Sequence, residues 1–200
     1  VRIGAIATLS RNFQLEFLKP LIGRQDVELV LGSASSAELI DGLMTLRFDL
    51  VLSNQEPATD ETSPLISRCL AEQSISLVGS PALCQQPMDL AEQLASAPLL
   101  LPTRSSSLRR GIDALVGRLG IVPRIAAEID DMAMLRLLAR EGAGLAVLPP
   151  IVVQDELVSG RIVELHQLPD LSERFHALTI RRRFPNPLVQ ELLARYPGVS

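Results

Sequence analysis

The chain reads as α/β with two similar lobes, and three observations predict it. Glu128 to Pro150 (EIDDMAMLRLLAREGAGLAVLPP) spells the end of a strand, a capped helix and a second strand. The same alternation of strand and helix runs through the first fifty residues and starts again near Leu99. Leu145–Leu148 is a short unbroken apolar run, the kind that a parallel sheet buries on both faces.

In chain order, Arg2–Ala7 reads as a first strand, and Thr8, Ser10 and Asn12 stand where a helix bearing Phe13, Phe17, Leu18 and Leu21 begins. Pro20 must kink or split that helix. Val27–Leu31 reads as strand two, Ser35 and Glu38 have capping-box spacing ahead of the next helix, and Leu50–Leu52 is strand three. After the connection EPATDETSP, Ile66–Leu70 and Ser74–Gly79 read as a hairpin pair, and residues 81–87 as a linker. Asp89 and Glu92 cap a short helix, and Leu99–Leu101 is the next strand, halted at Pro102. Leu108, Ile112, Leu115, Val116 and Leu119 then form one apolar helical stripe, ended by Gly120.

The second lobe continues with a strand at Arg124–Ile129, an N-cap at Asp130 or Asp131, and a helix carrying Met132, Leu135, Leu138 and Ala139. Gly142 stops this helix and Gly144 is read as a tight turn. The tail predicts a helix over Val152–Val158 stopped by Gly160, strands at Arg161–Leu165 and Phe175–Arg182, and a last helix with Asn186 as N-cap and Pro187 in first position. The lobes are expected to divide as 1–79 plus 170–200 and 80–169, with crossing segments near 79–87 and 166–175.

Composition narrows the function. Two hundred residues, 47% hydrophobic and 21% charged, describe a folded chain, and a net charge of −4 argues against direct grip on a phosphate backbone. The aromatic residues, Phe13, Phe17, Phe48, Phe175, Phe184 and Tyr196, are too scattered for base stacking. Cys69 and Cys84 show neither a CxxC motif nor a nearby His, and read as small buried apolar residues in a reducing, cytoplasmic setting. The opening VRIGAIATLS has no export-signal pattern, no run reaches membrane-spanning length, and a start in a strand without Met leads us to expect a further segment upstream.

In a two-lobed α/β chain, ligands are expected in the cleft where both sheets present the C-terminal ends of their strands. Those ends carry Thr8, Ser10, Ser33, Ser35, Ser36, Ser53 and Asn54 in one lobe, and Thr103, Arg104, Ser105, Ser106, Asp130 and Asp131 in the other. Helix N-termini with short hydroxyl side chains suit an anion, and Arg104 adds a bidentate donor for a carboxylate. Taken singly, each Ser or Asp is an ordinary helix cap; their clustering raises the group above its members.

Catalysis finds less support. The only histidines, His166 and His176, lie in the tail, and no GxSxG, HExxH, P-loop or GxGxxG motif occurs. Asp130 and Asp131 are adjacent and point in different directions, which suits capping better than paired acid–base work. Arg181–Arg183 read as a solvated strand edge. No catalytic residue, metal site or cofactor is therefore assigned.

The blocks VRIGAIATLS, LGSASSAELIDGLMTLRFDLVLSN, LVGSPAL, LLLPTRSSSLRRGID and EIDDMAMLRLLAREGAGLAVLPP, in this order, resemble the effector-binding domain of LysR-type transcriptional regulators. Within that family, TLSRNF and DDMAMLRLLAREGAGLAVLP are most similar to regulators of the sodium/proton antiporter. The resemblance implies a type-2 periplasmic-binding-protein fold of two Rossmann-like lobes, with a small-molecule or ion effector in the cleft. It implies a DNA-binding helix-turn-helix upstream of Val1, so that DNA is a partner only through that missing half; no membrane partner is expected, since no apolar run is long enough to span one. Its inducer contacts carry over to Thr8, Ser10, Ser33–Ser36, Asn54 and Thr103–Ser106. No aromatic residue stands between Thr103 and Ser107 to stack on an aromatic acid. The resemblance further implies an antiparallel homodimer, with higher oligomers at full length, for which helices at Ala37–Leu46 and Leu108–Leu119 are candidates. Sodium becomes a candidate signal, with Asp130, Asp131 and main-chain carbonyls as ligands. A stand-alone solute-binding protein of the same fold, the rival reading, would need an export signal.

Overall fold

The computed structural model describes residues 1–57, 63–84 and 87–196. It divides into two compact units, Val1–Glu72 with Arg174–Ser200, and Gln73–Glu173. The middle of EPATDETSP and of the expected 81–87 linker lie outside the described residues.

In the first unit, strands β1 (Arg2–Ala5), β2 (Val30–Ser33) and β3 (Leu50–Ser53) alternate with helices α1 (Arg11–Leu18) and α2 (Ser36–Met44). Both β2 and β3 pair with β1 in parallel, giving the order β2-β1-β3. Strand two starts three residues later than its apolar pattern suggests. Its ladder with β1 begins at Arg2 opposite Val30, next to the first residue of the chain, so residues 27–29 lie beyond the paired stretch. Helix α1 ends at Leu18, two residues before Pro20, which cannot continue the hydrogen-bond ladder. Phe13, Phe17 and Leu18 are buried, with Phe13 stacked 4.3 Å from Phe175 and Phe17 5.5 Å from Tyr196.

The second unit repeats the plan with β5 (Pro98–Pro102), α4 (Ser107–Leu119), β6 (Arg124–Ile129), α5 (Met132–Arg140) and β7 (Leu145–Leu148), preceded by α3 (Leu90–Ser96). Here too the first strand is central, with β6 and β7 parallel on either side of β5. The apolar runs are continuous because both faces are covered. Leu99, Leu101, Leu145 and Val147 pack with Leu94, Leu108, Ile112, Leu115 and Val116 of α3 and α4. Leu100, Ala146 and Leu148 pack on the other side with Met132, Leu135 and Ala139 of α5. The tail adds a 3₁₀ turn at Pro150–Val153 and a short α6 (Gln154–Val158) where one longer helix is expected.

Two corrections concern the segments that join the units. The expected hairpin is one strand, β4 (Leu65–Gly79), because Ala71–Gln73 contains no turn-forming residue to break an extended run. The two expected tail strands are likewise one, β8 (Val163–Ile180), which passes through Pro169 and a left-handed Asp170 (φ 58°). The division between the units falls inside β4, at Glu72–Gln73, and inside β8, at Glu173–Arg174. The hydrogen-bonded strand order is β2-β1-β3-β8-β4-β7-β5-β6. The final helix, α7 (Pro187–Ala194), starts as expected, with the Asn186 carboxamide oxygen accepting from the Leu188 amide at 3.0 Å.

Arg181–Arg183 follow β8 instead of belonging to it, and Arg182 is not a solvated edge residue. Its guanidinium donates to Asp49 Oδ1 (3.3 Å) and to the Phe48 carbonyl (3.1 Å), and Asp49 also accepts from the Arg2 amide (2.9 Å). Burial raises the Asp49 pKa, but the Arg2 and Arg182 donors outweigh it and hold the carboxyl below its ordinary value.

Two glycines separate freedom from closeness. Gly142 ends α5 in the left-handed region (φ 77°), as expected. Gly144 is not a positive-φ turn; a Cβ there would sit 2.6 Å from the Pro98 carbonyl oxygen, so the residue is small because β7 enters the sheet against β5. Gly144→Ala should therefore destabilise the chain by about 1–3 kcal/mol through overpacking. A urea midpoint equal to that of the unsubstituted chain would contradict this.

Candidate functional site

The parallel registers bring the predicted residues to one level within each unit. In the first, Ala5 lies beside Ser33 and beside Leu52, so Thr8 and Ser10, Ser33–Ser36, and Ser53 with Asn54 all follow the same edge. Thr8 Oγ1 donates to Asn54 Oδ1 at 3.4 Å, and Asn54 is buried. Ser10 is the buried N-cap of α1, accepting from the Phe13 amide at 3.3 Å. Ser35 forms the full capping box: Glu38 accepts from the Ser35 amide (2.9 Å) and hydroxyl (2.6 Å), and the Glu38 amide donates back to Ser35 Oγ (3.4 Å). The Ser35 hydroxyl and amide together hold the Glu38 carboxyl below its usual range. Ser53 closes a local turn, donating to the Gln55 carbonyl and accepting from the Gln55 amide. Ser10, Ser35 and Ser53 thus have structural duties, while Ser33 is exposed and Thr8 and Ser36 are half-buried.

In the second unit, Pro102 pairs with Ile129, which sets Thr103 beside Asp130 at the ends of β5 and β6. The Thr103 amide donates to the Ile129 carbonyl (3.1 Å), Thr103 and Ser105 share a hydroxyl hydrogen bond (3.0 Å), and the Ser106 amide donates to the Thr103 carbonyl (3.0 Å). Ser106 is the buried N-cap of α4, and its side chain makes no capping bond to the helix. Asp131, not Asp130, caps α5, accepting from the Ala133 amide at 2.9 Å. Arg104 is 81% exposed, with Nε 4.0 Å from Glu128 Oε1.

Beneath this turn lies a residue that the sequence reading missed. Arg109, only 2% exposed, donates to Asp113 (2.8 Å), Glu128 (2.5 Å) and the Pro102 carbonyl (3.1 Å). It ties the start of α4 to the ends of β5 and β6. Burial would lower its pKa, but the Asp113 and Glu128 carboxylates more than reverse that and keep it charged. The i, i+4 spacing of Arg109 and Asp113 was the available signal, and on a helix that spacing ordinarily describes a solvated pair.

His176 is a second omission. It pairs with Ser53 across β3 and β8, is buried, and its Nδ1 lies 3.2 Å from Ser67 Oγ. Burial pushes its pKa down; Glu56 opposes this and Arg174 reinforces it. Cys69 and Cys84 are half-buried rather than buried, and desolvation raises the Cys84 thiol pKa. Among the described residues no group of three or more His, Cys, Asp or Glu side chains is placed to hold a metal ion, and no helix is long and apolar enough to cross a membrane.

The family profile described as the LysR substrate binding domain matches residues 1–196. The chain belongs to this family. It is 21% identical over 191 residues to the transcriptional activator protein NhaR of Escherichia coli K12, covering 95% of this chain and 63% of that protein. The LysR domain thus spans a little under two thirds of the curated relative it matches. Its fold is that of the regulatory domain of HypT from Salmonella typhimurium in its apo form (TM-score 0.75, 18% identity, 98% and 92% of the two chains). It is also that of the CcmR regulatory domain of Synechocystis PCC6803 in complex with 2-PG (TM-score 0.72, 14% identity, 98% and 97%). These are type-2 periplasmic-binding-protein folds, as expected, and the matched relatives are transcriptional regulators, not enzymes. The chain is therefore the effector-binding domain of a LysR-type regulator, which sets aside the reading as a stand-alone solute-binding protein.

The buried His176 carries a pH dependence. Its depressed pKa means that the unfolded chain binds the proton more readily, so its contribution to stability is complete above the unfolded value of about 6.5 and is lost as pH falls below it. Urea midpoints measured from pH 7.5 to 5 should decline in the wild type. His176→Gln should flatten this decline; parallel curves would show that other groups cause it.

Proposed function

We propose that the chain senses a small polar or anionic effector through the strand-end residues of both units and passes the result, by way of a homodimer, to a DNA-binding domain upstream. The observation that carries this reading is the repeated edge. In the first unit three parallel strands end together on hydroxyl and amide side chains, in the second β5 and β6 end together on hydroxyl and carboxylate side chains, and there an exposed arginine stands among them. Ser106 supports the reading further, since it occupies an N-cap without spending its hydroxyl on the helix. Thr8, Ser33, Ser36 and Asn54 are proposed as contacts from the first unit, and Thr103, Arg104, Ser105 and Ser106 from the second. Ser10, Ser35 and Asp131 hold their helices in position, and Asp130 stands beside Thr103 at the end of β6.

The CcmR regulatory domain in its complex with 2-PG gives a family precedent for a small organic ligand. A sodium ion would draw on Asp130, Asp131 and main-chain carbonyls. An effector that favours one arrangement of the units shifts a two-state balance by its difference in affinity, and about 5.5 kcal/mol moves that balance from 1:99 to 99:1.

For the proposed dimer, exposed apolar side chains are the candidate contact faces. In the first unit they include Leu15 of α1 and Val30 and Leu31 of β2, with Leu15 and Leu31 bordering a hollow of about 320 Å³. In the second they include Leu119 at the end of α4, Val122, and Ile125 of β6. The Leu108–Leu119 helix stays in the proposal together with Ala37–Leu46, where Met44 and Leu46 are also exposed, and α1 with β2 is added to them. Leu31→Asp should shift sedimentation toward monomer at micromolar concentration; an unchanged profile would remove β2 from the interface. A cytoplasmic setting, with DNA contacted only through the upstream domain, completes the reading.

The effector assignment is tested by thermal denaturation in carboxylates, phosphate and sulfate, and in NaCl against KCl at matched ionic strength. An anion at 100 times its dissociation constant should contribute about 2.7 kcal/mol, equivalent to roughly 2–4 °C per kcal/mol for a chain of this size. Ser105→Ala with Ser106→Ala should abolish the shift while leaving the ligand-free midpoint nearly unchanged. An undiminished shift would remove the Thr103–Ser106 turn from the site, and a shift with sodium alone would replace the anion by a cation.

A further inference from the structure

Glu128 is shared unequally by two arginines. Its Oε1 accepts from the buried Arg109 at 2.5 Å, while the exposed Arg104 reaches the same oxygen only at 4.0 Å. Arg109 is held in turn by Asp113 and by the Pro102 carbonyl, the last residue of β5 before the turn that carries Arg104. Arg109 and Glu128 therefore form a fixed platform, and Arg104 is its loosely attached outer member.

We propose that Glu128 is a built-in stand-in for the ligand's negative charge, keeping Arg104 close to the turn and yielding it to a carboxylate or phosphate. The inference rests on the anionic reading above. Two physical facts make the exchange easy. An exposed pair of this length contributes little, so Arg104 gives up little by leaving. Glu128 keeps its shorter bond to Arg109, so no carboxylate is stranded when Arg104 moves. Arg104 is then the residue that selects for negative charge, and the Glu128–Arg109 pair positions it and sets the threshold that a ligand must exceed.

The test is calorimetric titration of the 200-residue chain with inorganic phosphate at constant ionic strength. Arg104→Gln should weaken binding about tenfold, the scale of one charge-assisted hydrogen bond. Glu128→Gln, which keeps an acceptor for Arg109, should strengthen it about two- to fivefold, the scale of an exposed ion pair. In the Arg104→Gln background, Glu128→Gln should bring no gain; a gain there would mean that Glu128 acts only as general negative charge and would overturn the inference. Wild-type binding with no gain from Glu128→Gln alone would also overturn it while leaving the anion reading intact. A wild-type chain that takes up no phosphate would overturn both.

Discussion

Each unit is governed by a parallel three-stranded sheet in which two strands are largely buried, β1 and β3 in the first and β5 and β7 in the second, while the edge strands β2 and β6 are largely exposed. Backbone groups inside such a sheet are satisfied by the ladder, and Leu99–Leu101 and Leu145–Leu148 leave no side chain exposed to water. Polar chemistry is thereby pushed to the strand ends, where helices begin and unpaired amides need partners. The same constraint explains why hydroxyl residues gather at Thr8–Ser10, Ser33–Ser36 and Thr103–Ser106, and why some of them are committed to capping.

The strand-end sets divide into residues that hold the edge and residues accessible to a ligand. Ser10, Ser35 and Asp131 accept backbone amides at their helix starts, and Ser53 closes its own turn. Thr8 and Thr103 bond to other side chains, and Arg104 extends outward. Under the second edge, Arg109 fastens three elements through a single guanidinium. A buried cation is tolerable there because two carboxylates and a carbonyl surround it, and removing any of them weakens the base of the turn.

The two long strands show a different economy. β4 and β8 each contribute to both units, so the connection is made of hydrogen-bonded sheet and not of loop. A change at the Glu72–Gln73 or Glu173–Arg174 positions would act on strand geometry directly. His176 lies close to one of these points, paired with Ser53 at the first edge, which sets a titratable group near both the connection and the polar residues.

The sequence by itself determined much of this molecule. The helix caps at Ser35, Asp89 and Asn186, a cap at Asp130 or Asp131, the helix stops at Gly120 and Gly142, the buried strands and the repeated plan all follow from local chemistry, because a cap or an apolar run is satisfied by near neighbours. The family followed from the order of those blocks. Tertiary structure decided what depends on a distant partner: where β2 begins, that β4 and β8 run unbroken, that Gly144 makes room for the Pro98 carbonyl, and that Arg182 turns inward to Asp49. Arg109 states the difference most sharply. Its spacing to Asp113 suggests a surface pair, and only the packing of α4 against the ends of β5 and β6, which brings Glu128 and the Pro102 carbonyl to the same guanidinium, makes it a buried ion.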